Sequence, residues 1–229
     1  TLLKQGRFRI SLSPGLDMQY FRQTLHLGEG YVEISDGLTS IQLWVDVDKP
    51  VVHVDIANKR VPLNVAATYE NWRTRNITMT KREAFQSSYK FAAPKGLQTR
   101  HDSIEATDRA VTFVHQNGSE TVFDATVSQQ QMESVKDKLY NPLKHLIFGG
   151  RMKGDGFVLM DTISGRYAST DYKGWMFVTE RPVKRSHLQI ALATRQGTVK
   201  EWQAQLSQTE RTVKRDYDRR NTRRWWCQF

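Results

Sequence analysis

Cysteine is nearly absent from this chain of 229 residues: Cys227 stands alone, which excludes an intrachain disulfide and a multi-cysteine zinc site. Glycine (14) and proline (6) are too sparse for a collagen-like or low-complexity polymer. No apolar run approaches the ~20 residues that a membrane helix needs. The chain opens at Thr1 rather than at Met, carries no signal peptide and ends abruptly at Trp225-Trp226-Cys227-Gln228-Phe229. Both ends therefore read as cut from a longer polypeptide. What is present is globular: 38% hydrophobic and 10% aromatic residues, enough at this length to bury a core for one large domain or two small ones.

Positive charge is in excess but unevenly spread. Lys and Arg number 34 against 24 acids, for a net +10. The stretch 195–224 holds nine bases and four acids, hence +5 of that excess, which leaves 25 bases against 20 acids in the first 194 residues. Strands that interleave Arg with aromatic residues, the platform that binds single-stranded nucleic acid, are missing. The tail reads as a solvated helix, and nucleic acid is not an expected partner.

The first seventy residues alternate with period 2, the mark of half-buried strands. Phe8, Ile10 and Leu12 alternate with Arg7, Arg9 and Ser11, and Ser13-Pro14-Gly15 signals a turn. Val32 and Ile34 lead into Asp36-Gly37, a hairpin dipeptide. Ile41, Leu43 and Val45 then face one way and Gln42, Trp44 and Asp46 the other. Val52, Val54 and Ile56 alternate with His53 and Asp55, and Leu63, Val65, Ala67 and Tyr69 continue the series. Strands at this spacing without intervening helices predict an antiparallel sandwich or barrel.

Residues 71–100 keep no period and read as a long loop or excursion. Val111, Phe113 and His115 suggest another strand, turned by Asn117-Gly118. A short helix is predicted over 128–140, capped by Ser128 and ended by Pro142. Leu146-Ile147-Phe148, a turn at Gly149-Gly150, then Phe157–Met160, Trp175–Thr179 and Leu188–Ala193 complete the β series. After Gly197 the period changes: Val199, Trp202, Leu206, Val213 and Tyr217 share one face of a helix. A single helix of about 25–30 residues is expected, serving as a connector rather than as part of the core.

Chemistry is harder to find. His26, His53, His101, His115, His145 and His187 form no HxH, HExxH or HxxxH spacing, so neither a metal nor any other cofactor is expected. There is no GxSxG elbow and no P-loop. The glycines from Gly149 to Gly156 precede a strand, not a helix whose N-terminus could hold an anion. No pair among the 24 acids is singled out for glycoside chemistry, so no catalytic residue is assigned. Two strand ends do carry binding chemistry. Glu70-Asn71-Trp72-Arg73 puts an aromatic plate beside a forked cation, suited to a sugar face and its hydroxyls, or merely to an Arg-on-Trp contact. Val114-His115-Gln116-Asn117 ends another strand with three hydrogen-bonding side chains, or with an ordinary turn. Glu70, Trp72, Arg73, His115 and Asn117 are the candidate sugar-binding residues, and they are expected to converge on one exposed edge.

At this point the residues resemble a family. Leu3-Lys4-Gln5-Gly6-Arg7-Phe8-Arg9-Ile10, Leu12-Ser13-Pro14 and Phe21-Arg22-Gln23-Thr24-Leu25 are similar to the N-terminal β-domain, of unknown function, in bacterial glycoside hydrolases related to the family 95 fucosidases. Leu43-Trp44-Val45-Asp46, Glu70-Asn71-Trp72-Arg73, His115-Gln116-Asn117, Asn141-Pro142-Leu143 and Phe148-Gly149-Gly150 keep the same order. The resemblance implies a mainly β fold, a two-sheet, galactose-mutarotase-like supersandwich over 1–194. A helical linker over 195–229 would lead to a catalytic α/α toroid outside this chain. The strand and Gly-Asn-Gly turn that usually precede Leu2-Leu3-Lys4 are missing, and Gln116 stands where Arg is commoner.

Three functions follow. The favoured one is a non-catalytic domain of an exported glycoside hydrolase, periplasmic or extracellular, which braces the toroid and helps shape its substrate cleft. Its partners would be that toroid and, through the whole enzyme, carbohydrate. The second is an autonomous carbohydrate-binding module, for which two terminal Trp residues have no evident use. The third is a basic domain for an acidic polymer, whose binding would weaken steeply with salt.

Overall fold

The computed structural model describes residues 5–90 and 93–228, so Leu2, Leu3 and Lys4 of the quoted N-terminal segment and the terminal Phe229 lie outside the described residues. The first strands are β1 (Arg7–Ser13), β2 (Arg22–His26), β3 (Tyr31–Ser35), β4 (Thr39–Val45), β5 (Val51–Asn58) and β6 (Asn64–Asn71). An excursion follows, with β7 (Ile77–Thr78), α1 (Lys81–Phe85) and β8 (Gln98–Thr99). Next come β9 (Ser103–Ala106), β10 (Ala110–Gln116) and α2 (Val122–Gln129). The remaining elements are β11 (Leu146–Gly154), β12 (Phe157–Tyr167), β13 (Thr170–Thr179), β14 (Arg185–Gln196), α3 (Val199–Thr212) and α4 (Arg215–Trp226).

Two antiparallel sheets stack face to face, as the alternation predicts. One has four strands in the order β1-β6-β13-β12, and the other has eight in the order β2-β3-β4-β5-β14-β11-β10-β9. The small β7-β8 ladder stands apart. Between the sheets lies the main core, with Val65, Tyr69 and Phe177 from the four-stranded sheet against Val54, Phe113 and Ile190 from the eight-stranded one. The β3-β4 hairpin closes at Asp36-Gly37: Gly37 adopts φ +86, and Asp36 Oδ1 accepts from the backbone N–H groups of Leu38 and Thr39.

The back of the eight-stranded sheet is buried as well, which alternation alone did not anticipate. Helix α3 packs there, with Trp202 and Leu206 fully buried against Val51, Ile147, Ala191 and Ala193. Trp202 Nε1 donates to the carbonyl of Ala193 at 2.9 Å. Such a helix is part of the core rather than a simple connector, since a fully buried apolar side chain contributes about 1.5–3 kcal/mol. The expected single helix is two: the chain turns extended at Val213, and α4 lies back over β3 to β5. On that same face Trp44 is buried, while Val45, the next residue of β4, points the other way and is exposed.

Two further expectations change. Gly149-Gly150 is not a turn but the middle of β11, paired to β10 and β14. A Cβ at Gly149 would meet the backbone of Phe113, and one at Gly150 the backbone of Ala191, so these glycines permit close strand approach. The helix expected over 128–140 starts earlier, where Asp124 Oδ2 accepts from Thr121 N at 2.8 Å, and a 3-10 turn covers Glu133–Lys138. The stretch 71–100, expected as a long loop or excursion, is an excursion that carries β7, α1 and β8.

Candidate functional site

Strand β6 sends successive side chains to opposite faces of its sheet, and this separates the residues of the first polar cluster. Tyr69 points into the core, Glu70 to the outside, and Asn71 inward again. Tyr69 donates its hydroxyl to the carbonyl of Gln5 at 2.6 Å, and the phenol is pushed above its ordinary range by burial. Asn71 Nδ2 donates to Tyr69 Oη at 3.0 Å and to Asp102 Oδ2 at 2.7 Å.

Asp102, just before β9, is the centre of the arrangement. Arg73 grips it with both prongs, Nε to Oδ1 at 2.9 Å and Nη2 to Oδ2 at 2.6 Å. On β10, His115 Nδ1 meets Asp102 Oδ1 at 2.8 Å. All three are buried, with Arg73 at 5%, Asp102 at 6% and His115 at 6% exposure. Burial alone would raise the Asp102 carboxyl. The hydrogen bonds from His115, Arg73 and Asn71, with the Arg73 charge, outweigh it and hold the group below the ordinary carboxylate range. Asp102 is therefore ionised and only accepts, which requires His115 Nδ1 to carry a proton.

The two polar clusters thus meet at one pole of the sandwich, through a carboxylate that sequence reasoning did not single out. Their convergence is partial. His115 and Asn117 line a cavity of about 600 Å3 between the excursion and the eight-stranded sheet. Asn117 Nδ2 also donates to the carbonyl of Leu143 at 3.0 Å. Arg73 lies behind Asp102, and Trp72 is half-buried and outside the cavity lining.

Glu70 lies elsewhere. It is fully buried on the outer face of the four-stranded sheet, accepting from Arg7 Nε at 2.6 Å and Arg9 Nε at 2.8 Å. The Arg7 guanidinium sits 4.0 Å from the centre of the Tyr167 ring, which helps seal the cluster.

Charged residues of the tail are engaged in packing. Arg219 lies over Tyr31 and Trp44, Arg215 pairs with Asp55, Lys49 bonds Asp218 at 2.5 Å, and Arg223 lies 3.4 Å from Glu29. Among the described residues no group of three His, Cys, Asp or Glu side chains is placed to hold a metal ion.

No curated protein matches the sequence. Among solved structures, a family GH92 inverting mannosidase from Bacteroides thetaiotaomicron aligns at 9% identity and a TM-score of 0.45. The alignment covers 97% of this chain and 26% of that one. A family GH92 alpha-mannosidase from the same organism, also solved with mannoimidazole, aligns at 8% identity and a TM-score of 0.38, over 93% of this chain and 24% of that one. The chain thus spans about a quarter of the length of these structures. Its residues 1–229 match a family model from end to end, and the chain belongs to that family, described as a domain of unknown function (DUF5703).

Proposed function

We propose that this chain is a non-catalytic β-domain of an exported bacterial glycoside hydrolase, seating a helical catalytic toroid of the same polypeptide and shaping one rim of its substrate cleft. One observation carries the reading. Leu25 at 60%, Leu27 at 66%, Val45 at 54% and Trp225 at 42% exposure line a single apolar groove of about 390 Å3 beside Trp226. A concentration of large exposed apolar side chains on one surface marks a place where another structured body packs. The groove lies along the β2 to β4 side of the eight-stranded sheet, where α4 ends.

The sequence motifs that resemble hydrolase β-domains supply the identity of that body. The relation to the family 95 fucosidases and the placement outside the cytoplasm rest on those motifs. A second reading, an autonomous carbohydrate-binding module, draws on the cavity beside His115.

Two measurements test the favoured reading. In the full-length polypeptide, Leu27→Glu with Val45→Glu should lower the melting temperature, while chain 1–229 alone keeps its own. Equal melting of both full-length proteins would remove the support for a seated toroid. Chain 1–229 should turn over no aryl-glycoside. Turnover that is lost when one of its own carboxylates is changed would overturn the non-catalytic role.

A further inference from the structure

We propose that the cavity beside the β7-α1-β8 excursion binds a pyranose, one hydroxyl of which donates a hydrogen bond to Nε2 of His115. This site deepens the reading above and rests on it only for the choice of a sugar among hydroxyl-bearing ligands.

The imidazole is prepared for that bond. Because the ionised Asp102 can only accept, Nδ1 of His115 carries the proton, and in the neutral ring Nε2 is left with a lone pair. Nε2 has no hydrogen-bond partner among the described residues, although His115 as a whole is 94% buried, from its 6% exposure. The ring is held by Asp102 on one side and by Phe148, 5.1 Å away between ring centres, on the other. Arg73 clamps Asp102 from behind, so the acceptor is fixed before any ligand arrives.

The surroundings select the ligand class. At about 600 Å3 the cavity is in the size range of small-molecule sites. Phe148, Leu143 and Leu146 offer apolar surface for the C–H face of a sugar ring, while Asn117, Thr121 and Tyr89 offer polar atoms. The formally charged residues in the lining are one cation, Arg100, and one anion, Glu120. That balance favours a neutral polyol over a phosphate or carboxylate ligand. Asp102 is a positioning residue here, acting through His115.

The test is 15N NMR of the His115 ring in the whole chain, titrated with the methyl α- and β-pyranosides of glucose, galactose, mannose and fucose. Free protein should show the Nδ1–H tautomer, and at least one glycoside should move the Nε2 resonance saturably. His115→Ala should weaken that glycoside about tenfold or more, the scale of one lost hydrogen bond in a closed site. Asp102→Asn should mix the tautomers and weaken the same ligand, a spectroscopic change that loss of packing alone does not make. The titration itself needs no variant, so a His115→Ala chain that fails to fold leaves the site testable. No saturable shift with any of these glycosides overturns the site. So does equal affinity in folded His115→Ala, or saturation of the Nε2 shift by inorganic phosphate instead. The groove pair Leu27→Glu and Val45→Glu should leave this titration unchanged, so the two readings fail separately.

Discussion

Two buried histidines on the eight-stranded sheet are kept in opposite ways. His115 on β10 is pinned by the carboxylate of Asp102 and faces a cavity. His53 on β5 is fully buried on the back of the sheet, stacked 3.9 Å from Trp44 and 2.9 Å from Nε2 of His187 through its Nδ1. Its pKa is pushed down to about 4, by burial first and then by the neighbouring His187. Burial by itself therefore does not decide what a histidine does. A carboxylate in contact fixes its tautomer and leaves one nitrogen for a ligand; a second histidine in contact leaves a ring that resists charge.

The widest break in that comparison is removal of the carboxylate. Asp102→Ala removes the carboxylate that both the buried Arg73 guanidinium and the buried His115 ring hold. The expected loss is about 3–5 kcal/mol of unfolding free energy in urea. A loss below about 1 kcal/mol would mean that water or another group replaces Asp102, and the pinned state of His115 would then need another cause.

The second effect comes from the other histidine, and its sign is fixed by linkage. The His53 pKa is about 4 in the folded chain, against about 6.5 when unfolded. Its neutral form thus contributes stability in full above the unfolded value, and that stability drains away as pH falls from 6.5 towards 4. The charges that face the pair come from several elements. They are Asp46 after β4, Asp55 on β5, Asp155 between β11 and β12, and Arg215 and Asp218 on α4. Over that window the expected loss is about 2–3 kcal/mol. His53→Phe should flatten it relative to the parent. An unchanged slope would place the acid sensitivity elsewhere.

How much of this was legible beforehand depends on the range over which each signal acts. Period 2 around Phe8, Val32, Val52 and Val65 identified strands and inward faces, because alternation is local. The same alternation put Trp44 and His53 on the opposite face, which was right, but nothing local said that α4, far along the sequence, would lie over that face. Trp202 and Leu206 showed a helix face without showing what it meets. Gly149-Gly150 is spelled alike in a turn and in a close-packed strand, and only the approach of β10 and β14 separates the two. At the site, Arg73 and His115 were visible as polar ends of strands. Asp102 was not, because it closes a stretch without periodicity and draws its importance from partners 31, 29 and 13 residues away in sequence. Glu70 was visible too, yet period 2 carries it to the face away from the cavity.

The smallest expected effect sharpens the contrast between the two buried carboxylates. Glu70, like Asp102, is held by arginine, and its carboxyl is fully buried. The difference lies in the partners: the Arg7 and Arg9 side chains are 23% and 51% exposed, against 6% for Arg73. When Glu70 becomes Gln, both guanidinium groups can turn to water, whereas Arg73 has no such route once Asp102 is gone. The amide also keeps an acceptor on the same site, so the hydrogen bonding is weakened rather than removed. Glu70→Gln should therefore cost only about 1 kcal/mol, shrinking further in molar salt as the remaining charges are screened. A loss as large as that of Asp102→Ala, and insensitive to salt, would show that the Arg7-Arg9 side of the molecule is as closed as the His115 side.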